Sequence, residues 1–171
     1  MQSTWLALPA IHAAGTIKAP ATATDRGGQF ELWEQGSSRR LRVVHPSGPD
    51  SVTVVTDRKA WRRTGPLLNV LDPDRVDLFP VPDPAAPDTT FYRSARRWSD
   101  GGLSTVNGVR CEKVTGSSPG AEFTFYLNPS THLPVAVDLN IRNGAERGLW
   151  RVEYQKIDTP GHLPPALFQR P

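Results

Sequence analysis

Ala121–Ile141 reads AEFTFYLNPSTHLPVAVDLNI, and its pattern decides the fold. Phe123, Phe125 and Leu127 sit two apart, with Thr124 and Tyr126 between them. Beyond the Asn128-Pro129-Ser130-Thr131 turn, Val135, Val137, Leu139 and Ile141 also sit two apart, alternating with Ala136, Asp138 and Asn140. A period of two sends successive side chains to opposite faces of a strand. Asn, Pro and Ser supply the turn chemistry between the two runs. The stretch therefore reads as a β-hairpin with one apolar face and one wettable face.

The same signature recurs on both sides. Ile11–Lys18 reads as a strand, after a start (Trp5–Ala14) with enough apolar residues for a helical turn or two, cut by Pro9. Gly28–Glu34 alternates Phe30 and Leu32 against Glu31 and Trp33, and Arg39–His45 alternates Leu41 and Val43 against Arg40, Arg42 and Val44. Ser51–Thr56 is rich in β-branched residues, which favour a pleated, half-buried surface, and Ala60-Trp61-Arg62 follows a short break. The regular pattern then stops. Pro66–Leu78 predicts a short helix after Asp72, with Pro73 at its first position. Phe79–Asp88, FPVPDPAAPD, cannot donate a sheet ladder and reads as a loop, lid or strap. Strands resume at Leu103–Val106, turn at Asn107-Gly108, and continue at Val109–Thr115 and Leu149–Ile157. The closing DTPGHLPPALFQRP is expected to pack Leu167 and Phe168 back onto the sheet. About nine short strands at this turn spacing predict an antiparallel, mainly β single domain over residues 1–171.

Composition bounds the partners. The 171 residues are 37% hydrophobic and 22% charged, which suits a globular chain with a real core. No apolar run approaches the ~20 residues of a transmembrane helix. The start MQSTWLALPAIHAAG lacks a basic n-region and does not read as a signal peptide. The single cysteine, Cys111, excludes an intramolecular disulfide and a multi-thiolate metal site. Sixteen of the 20 basic residues are arginine, grouped at Arg39/Arg40/Arg42, Arg58/Arg62/Arg63 and Arg93/Arg96/Arg97. Acidic residues are interspersed with them, so the net charge of +3 reads as solvated strand faces and no nucleic-acid partner is expected.

Catalytic patterns are missing. There is no Gly-x-Ser-x-Gly elbow, no His-Glu-x-x-His helix and no glycine-rich phosphate loop, so no metal or other cofactor is called for. Glu31, Glu34, Asp138 and Glu153 alternate with apolar residues and are expected on the solvated face. What remains is the apolar face: Leu41, Val43, Val52, Val54, Phe123, Phe125, Leu127, Val135, Val137 and Leu139 are expected to line one side of a curved sheet. Such a face must be covered or must enclose something.

The order of several short motifs resembles the outer-membrane lipoprotein carrier superfamily, LolA/LolB-like. Gly28-Gln29-Phe30-Glu31-Leu32-Trp33 precedes a basic strand, then comes Ser51–Trp61, SVTVVTDRKAW. Asn107-Gly108, the Leu127–Pro134 turn, Trp150–Ile157 and the closing Pro-x-x-Leu-Phe at Pro164–Phe168 fall in the expected order. Asp57-Arg58 replaces the superfamily's Asp-Gly, and Gln35-Gly36 stands where carriers place an arginine. The resemblance implies a strongly curved antiparallel half-barrel, with short helices or loops over its concave face. It implies a non-enzymatic periplasmic or outer-membrane protein that binds a lipid or a lipoprotein acyl chain. The alternatives are a regulatory or assembly domain docking an envelope protein partner, and a hydrolase with an unrecognised site.

Overall fold

The computed structural model describes residues 10–21, 23, 27–76, 81, 97–145 and 147–171. It contains eleven strands: β1 (Ile11–Lys18), β2 (Gly27–Gln35), β3 (Ser38–Val44), β4 (Ser51–Val55), β5 (Ala60–Thr64), β6 (Leu67–Leu71), β7 (Arg97–Val106), β8 (Val109–Ser118), β9 (Ala121–Leu127), β10 (Pro134–Ile141) and β11 (Gly148–Asp158). They form one open antiparallel sheet, ordered β6-β5-β4-β3-β2-β1-β11-β10-β9-β8-β7. Two meanders, β1–β6 and β7–β11, meet at the single seam between β1 and β11. This is the mainly β, antiparallel fold expected from the alternation, in one open sheet as the half-barrel implied by the resemblance requires.

The predicted hairpin forms between β9 and β10, with Phe125 opposite Val137 and Phe123 opposite Leu139. Asn128 closes its turn: its backbone N–H donates to the Leu133 carbonyl at 2.9 Å and its side chain accepts from the Ser130 N–H at 2.9 Å. Asn107 and Gly108 both take positive φ, 49° and 79°, as a tight two-residue hairpin turn requires. The helix expected after Asp72 is a single 3₁₀ turn, Pro73–Arg75, capped by the Asp72 side chain.

Two strands go beyond the sequence reading. LLNVL at 67–71 forms β6, after a turn in which Gly65 takes φ +55°. β7 begins at Arg97, well before Leu103, because a bulge at Asp100/Gly102 breaks its alternation without ending it. Gly102 takes φ +74°, and its N–H donates to Asp100 Oδ1 at 2.7 Å. The N-terminal turns at 5–9, most of the proline-rich 79–88 and the aromatic-basic 91–96 lie outside the described residues.

Opposed residues of an antiparallel pair share a face, so the register sorts the whole sheet. The core face carries Ile11, Ala13 and Ile17 of β1, Phe30 and Leu32 of β2, Leu41 and Val43 of β3, Phe123 and Phe125 of β9, Val137 and Leu139 of β10, and Trp150 and Val152 of β11. All belong to one buried cluster. β6 and β7 occupy opposite edges, so the chain from Leu71 to Arg97 must cross from one edge to the other. Val81, between them in sequence, is 2% exposed within that cluster and so lies on the core face.

The C-terminal tail packs on the other face, as expected. Arg40 Nη1 donates to the Leu167 carbonyl at 3.0 Å. The Leu163 N–H donates to Gln35 Oε1 at 2.8 Å, and Leu163 is the tail's buried anchor.

Candidate functional site: the core face of the sheet

Glycines at two points let aromatic rings lie across the core face. Gly15 sits on β1 between Phe30 of β2 and Tyr154 of β11, whose rings meet edge-to-face at 5.6 Å. Gly116 sits on β8 between Trp98 of β7 and Phe123 of β9, whose rings lie 6.0 Å apart. A Cβ at Gly116 would come within 2.8 Å of both rings. Trp98 also lies 6.1 Å from Phe125, yet it is 49% exposed. The apolar surface therefore runs as a continuous row, Trp98–Gly116–Phe123–Leu139–Trp150, from one sheet edge to the seam.

Of the ten side chains expected to line one face, seven do so: Leu41, Val43, Phe123, Phe125, Leu127, Val137 and Leu139. Three do not. Val52 pairs with Arg42 and Val54 with Arg40, so both valines are buried on the outer face. Leu41 and Val43 face Thr53 and Ser51 instead. The β3–β4 connection sets this phase, which alternation within each strand leaves free. Val135 falls in the bulge between Pro134 and Ala136, and it packs with Tyr126, Val109 and Cys111 in a small outer-face cluster.

Polar residues that the sequence reading placed in solvent enter the core face. Glu34 is in phase with Phe30 and Leu32; it is 5% exposed and directly opposite Arg39. Arg39 Nε lies 3.5 Å from Glu34 Oε1, which sets a half-buried guanidinium against a buried carboxylate. Arg62 faces Thr53 on the same side, and its Nε donates to Thr53 Oγ1 at 3.0 Å. The parity of Glu34 with Phe30 was a usable signal. The parity of Arg39 with Leu41 and Val43 was another, whereas Arg62 needed the register.

Asp138 and Glu153 do face outward, in a belt across the seam. Arg151 donates to Glu153 Oε1 at 2.8 Å and to Asp138 at 3.0 and 3.1 Å. Lys18 reaches Glu153 at 3.1 Å, and Tyr126 donates its hydroxyl to Asp138 at 2.9 Å. Burial acts to raise the Glu153 carboxyl, but hydrogen bonds from Arg151 and Lys18 outweigh it and hold the group below its ordinary 4.5. A carboxyl depressed by folding adds stability above its unfolded pKa and loses it as pH falls through the folded one. The urea midpoint is therefore expected to fall on acidification below about pH 4.5, and less steeply in Glu153→Gln. Equal slopes in the two proteins would show that the belt contributes nothing.

A cleft of about 300 Å³ opens on the outer face beside the β1–β11 bulge. Gln29, Glu31, Arg42 and Gln155 line it, and Arg42 is already engaged by Asp50 at 2.9 Å. Its polar walls do not suit an acyl chain. Among the described residues, no three His, Cys, Asp or Glu side chains gather where they could hold a metal. Nor is any described helix long and apolar enough to cross a membrane.

No protein-family model matches the chain, and no curated protein matches it by sequence. Solved structures do match. An uncharacterized conserved protein of Thermus thermophilus superposes with TM-score 0.62 at 12% identity, over 96% of this chain and 87% of that one. The lipoprotein LppX of Mycobacterium tuberculosis gives 0.53 at 12% identity, over 90% and 88%. The MucA/MucB complex of Pseudomonas aeruginosa gives 0.52 at 17% identity, over 94% of this chain and 55% of the matched one. The chain shares the fold of these solved structures. In this sheet, Val81 and the aromatic row from Trp98 lie on the same core face.

Proposed function

We propose that the protein is a non-enzymatic cell-envelope protein, periplasmic or at the outer membrane, that buries a lipid or lipoprotein acyl chain against its core face. The observation that carries this reading is the unbroken apolar row from half-exposed Trp98 through Phe123 and Leu139 to Trp150. Reversible burial needs no chemistry: apolar area leaving water contributes ~25 cal/mol per Å². Leu41, Val43, Phe123, Phe125, Leu127, Val137 and Leu139 form the wall, and Val81 packs against it. Val52, Val54 and Val135 have no part in it. The test is organic extraction and mass spectrometry of the purified protein. Recovery of an acyl lipid near one per chain is expected. An extract without lipid, together with no uptake of a fluorescent fatty acid, would reject the reading.

A second reading is favoured by the likeness to MucB, solved as a complex with MucA. Here the half-exposed Trp98 and exposed Leu103 of edge strand β7 dock an envelope protein in place of a lipid. A lipid-free chain that takes up no fatty acid would leave this reading standing.

A further inference from the structure

The two meanders give the core face different characters. On β9–β11 its central rows are apolar throughout: Ala121, Phe123, Phe125, Val137, Leu139, Ile141, Trp150 and Val152. On β2–β5 they carry Glu34, Arg39, Thr53 and Arg62. The two guanidiniums there are in different states. Arg39 lies beside Glu34. Arg62 is half-buried and held by a neutral hydroxyl, and among the described residues it has no carboxylate partner. On its β4 side it is covered, since Thr53 is 4% exposed and Ala60, two residues along on the same face, is fully buried, while Asn69 opposite it on β6 is exposed.

A guanidinium withdrawn from water costs desolvation free energy unless an anion offsets it. It presents five N–H donors in a planar fork, and Thr53 occupies one of them. A carboxylate or phosphate meets such a fork with two parallel hydrogen bonds, which a neutral ester cannot match. The charged groups on the core face of β1–β6 are Arg39, Arg62 and Glu34, two cations against one anion. This half of the face is thus left one positive charge in surplus.

We infer that the core face takes an anionic amphiphile, whose carboxylate or phosphate is held by Arg62 over β4 and β5 while its chain lies across β9–β11. This rests on the lipid reading above and specifies the ligand's charge. Alternation along β5 also explains why Arg63 is no substitute: it points to the outer face, opposite Val52.

The experiment is a titration of the full chain with three probes: a fluorescent fatty acid with a free carboxylate, its methyl ester, and a fluorescent phosphatidic acid. The wild type is expected to bind the acid, the phosphatidic acid or both more tightly than the ester, and which of them binds identifies the anion. Arg62→Gln is expected to weaken the anionic probe about tenfold, the size of one lost charged hydrogen bond, and to leave the ester unchanged. Arg63→Gln, which removes the same charge one residue away, is expected to change neither. Unaltered binding of the anionic probes by Arg62→Gln overturns the inference. Equal weakening of acid and ester also overturns it, since it marks Arg62 as structural only. A wild type that binds no probe overturns the lipid reading itself, and this inference with it.

Discussion

Gly15→Ala is expected to lower the stability of the protein by about 3 kcal/mol or more. A Cβ at this position would collide with the Glu153 carbonyl oxygen and would lie 2.8 Å from Phe30 Cε1. Neither neighbour can give way cheaply. The carbonyl belongs to β11, at the bulge where β1 and β11 pair, and this pairing is the sole seam between the two meanders. The Phe30 ring is fixed from its other side by Tyr154. Moving the strand breaks the ladder, and moving the ring empties the aromatic contact in the core. Overpacking of this kind costs about 3 kcal/mol or more, a large share of the roughly 5–15 kcal/mol that holds a domain folded. Far-UV circular dichroism and a urea titration measure it. Gly120→Ala, where an added Cβ meets nothing within 4 Å, is the matched control and should melt with the wild type. A Gly15→Ala protein with the wild-type midpoint would mean that the seam is looser than its geometry.

The sequence made the strands legible where each stood by itself. Phe123/Phe125 and Val137/Leu139 alternate, and the turn residues at Asn107-Gly108 and Asn128–Thr131 close their hairpins as read. It was less informative wherever two strands had to be phased against each other. Alternation shows that Val52 and Val54 share a face, but only the β3–β4 register shows that the face is Arg42's and not Leu41's. Bulges had the same effect within a strand. At Pro134/Ala136 a bulge turns Val135 away from the row that a strict count of two would give it, and at Asp100/Gly102 another hides the first half of β7. The arginines suffered most. Runs such as Arg39-Arg40 and Arg62-Arg63 look like single basic patches, yet adjacent residues of a strand face opposite ways. Each pair therefore puts one guanidinium on the core face and one on the outer face. The outer ones have their own surroundings: Arg40 stacks 5.9 Å over the Trp33 ring, and its pKa is lowered by burial and by Arg63 and Arg42 nearby.

Phe125→Asp and Val137→Asp are expected to abolish fatty-acid uptake, if the core face is the binding wall. The two side chains are direct cross-strand partners in the middle of the apolar row. A carboxylate there would have to be desolvated by any acyl chain laid across it, with no counter-charge on β9–β11 to offset the cost. That penalty is several kcal/mol, so binding should weaken by at least about a hundredfold. The two variants separate function from stability. Val137 is fully enclosed, so its variant should also lower the urea midpoint. Phe125 borders half-exposed Trp98, so its aspartate can reach water in the empty protein, and that variant should stay folded while losing uptake. Asn140→Asp adds the same charge to the exposed outer side of β10 and should bind as the wild type does. The readouts are titration with the fluorescent fatty acid and a parallel urea curve. Full uptake by a folded Phe125→Asp protein would remove the core face from the binding site, and the β7 edge around Trp98 and Leu103 would then be the surface to test with a protein partner.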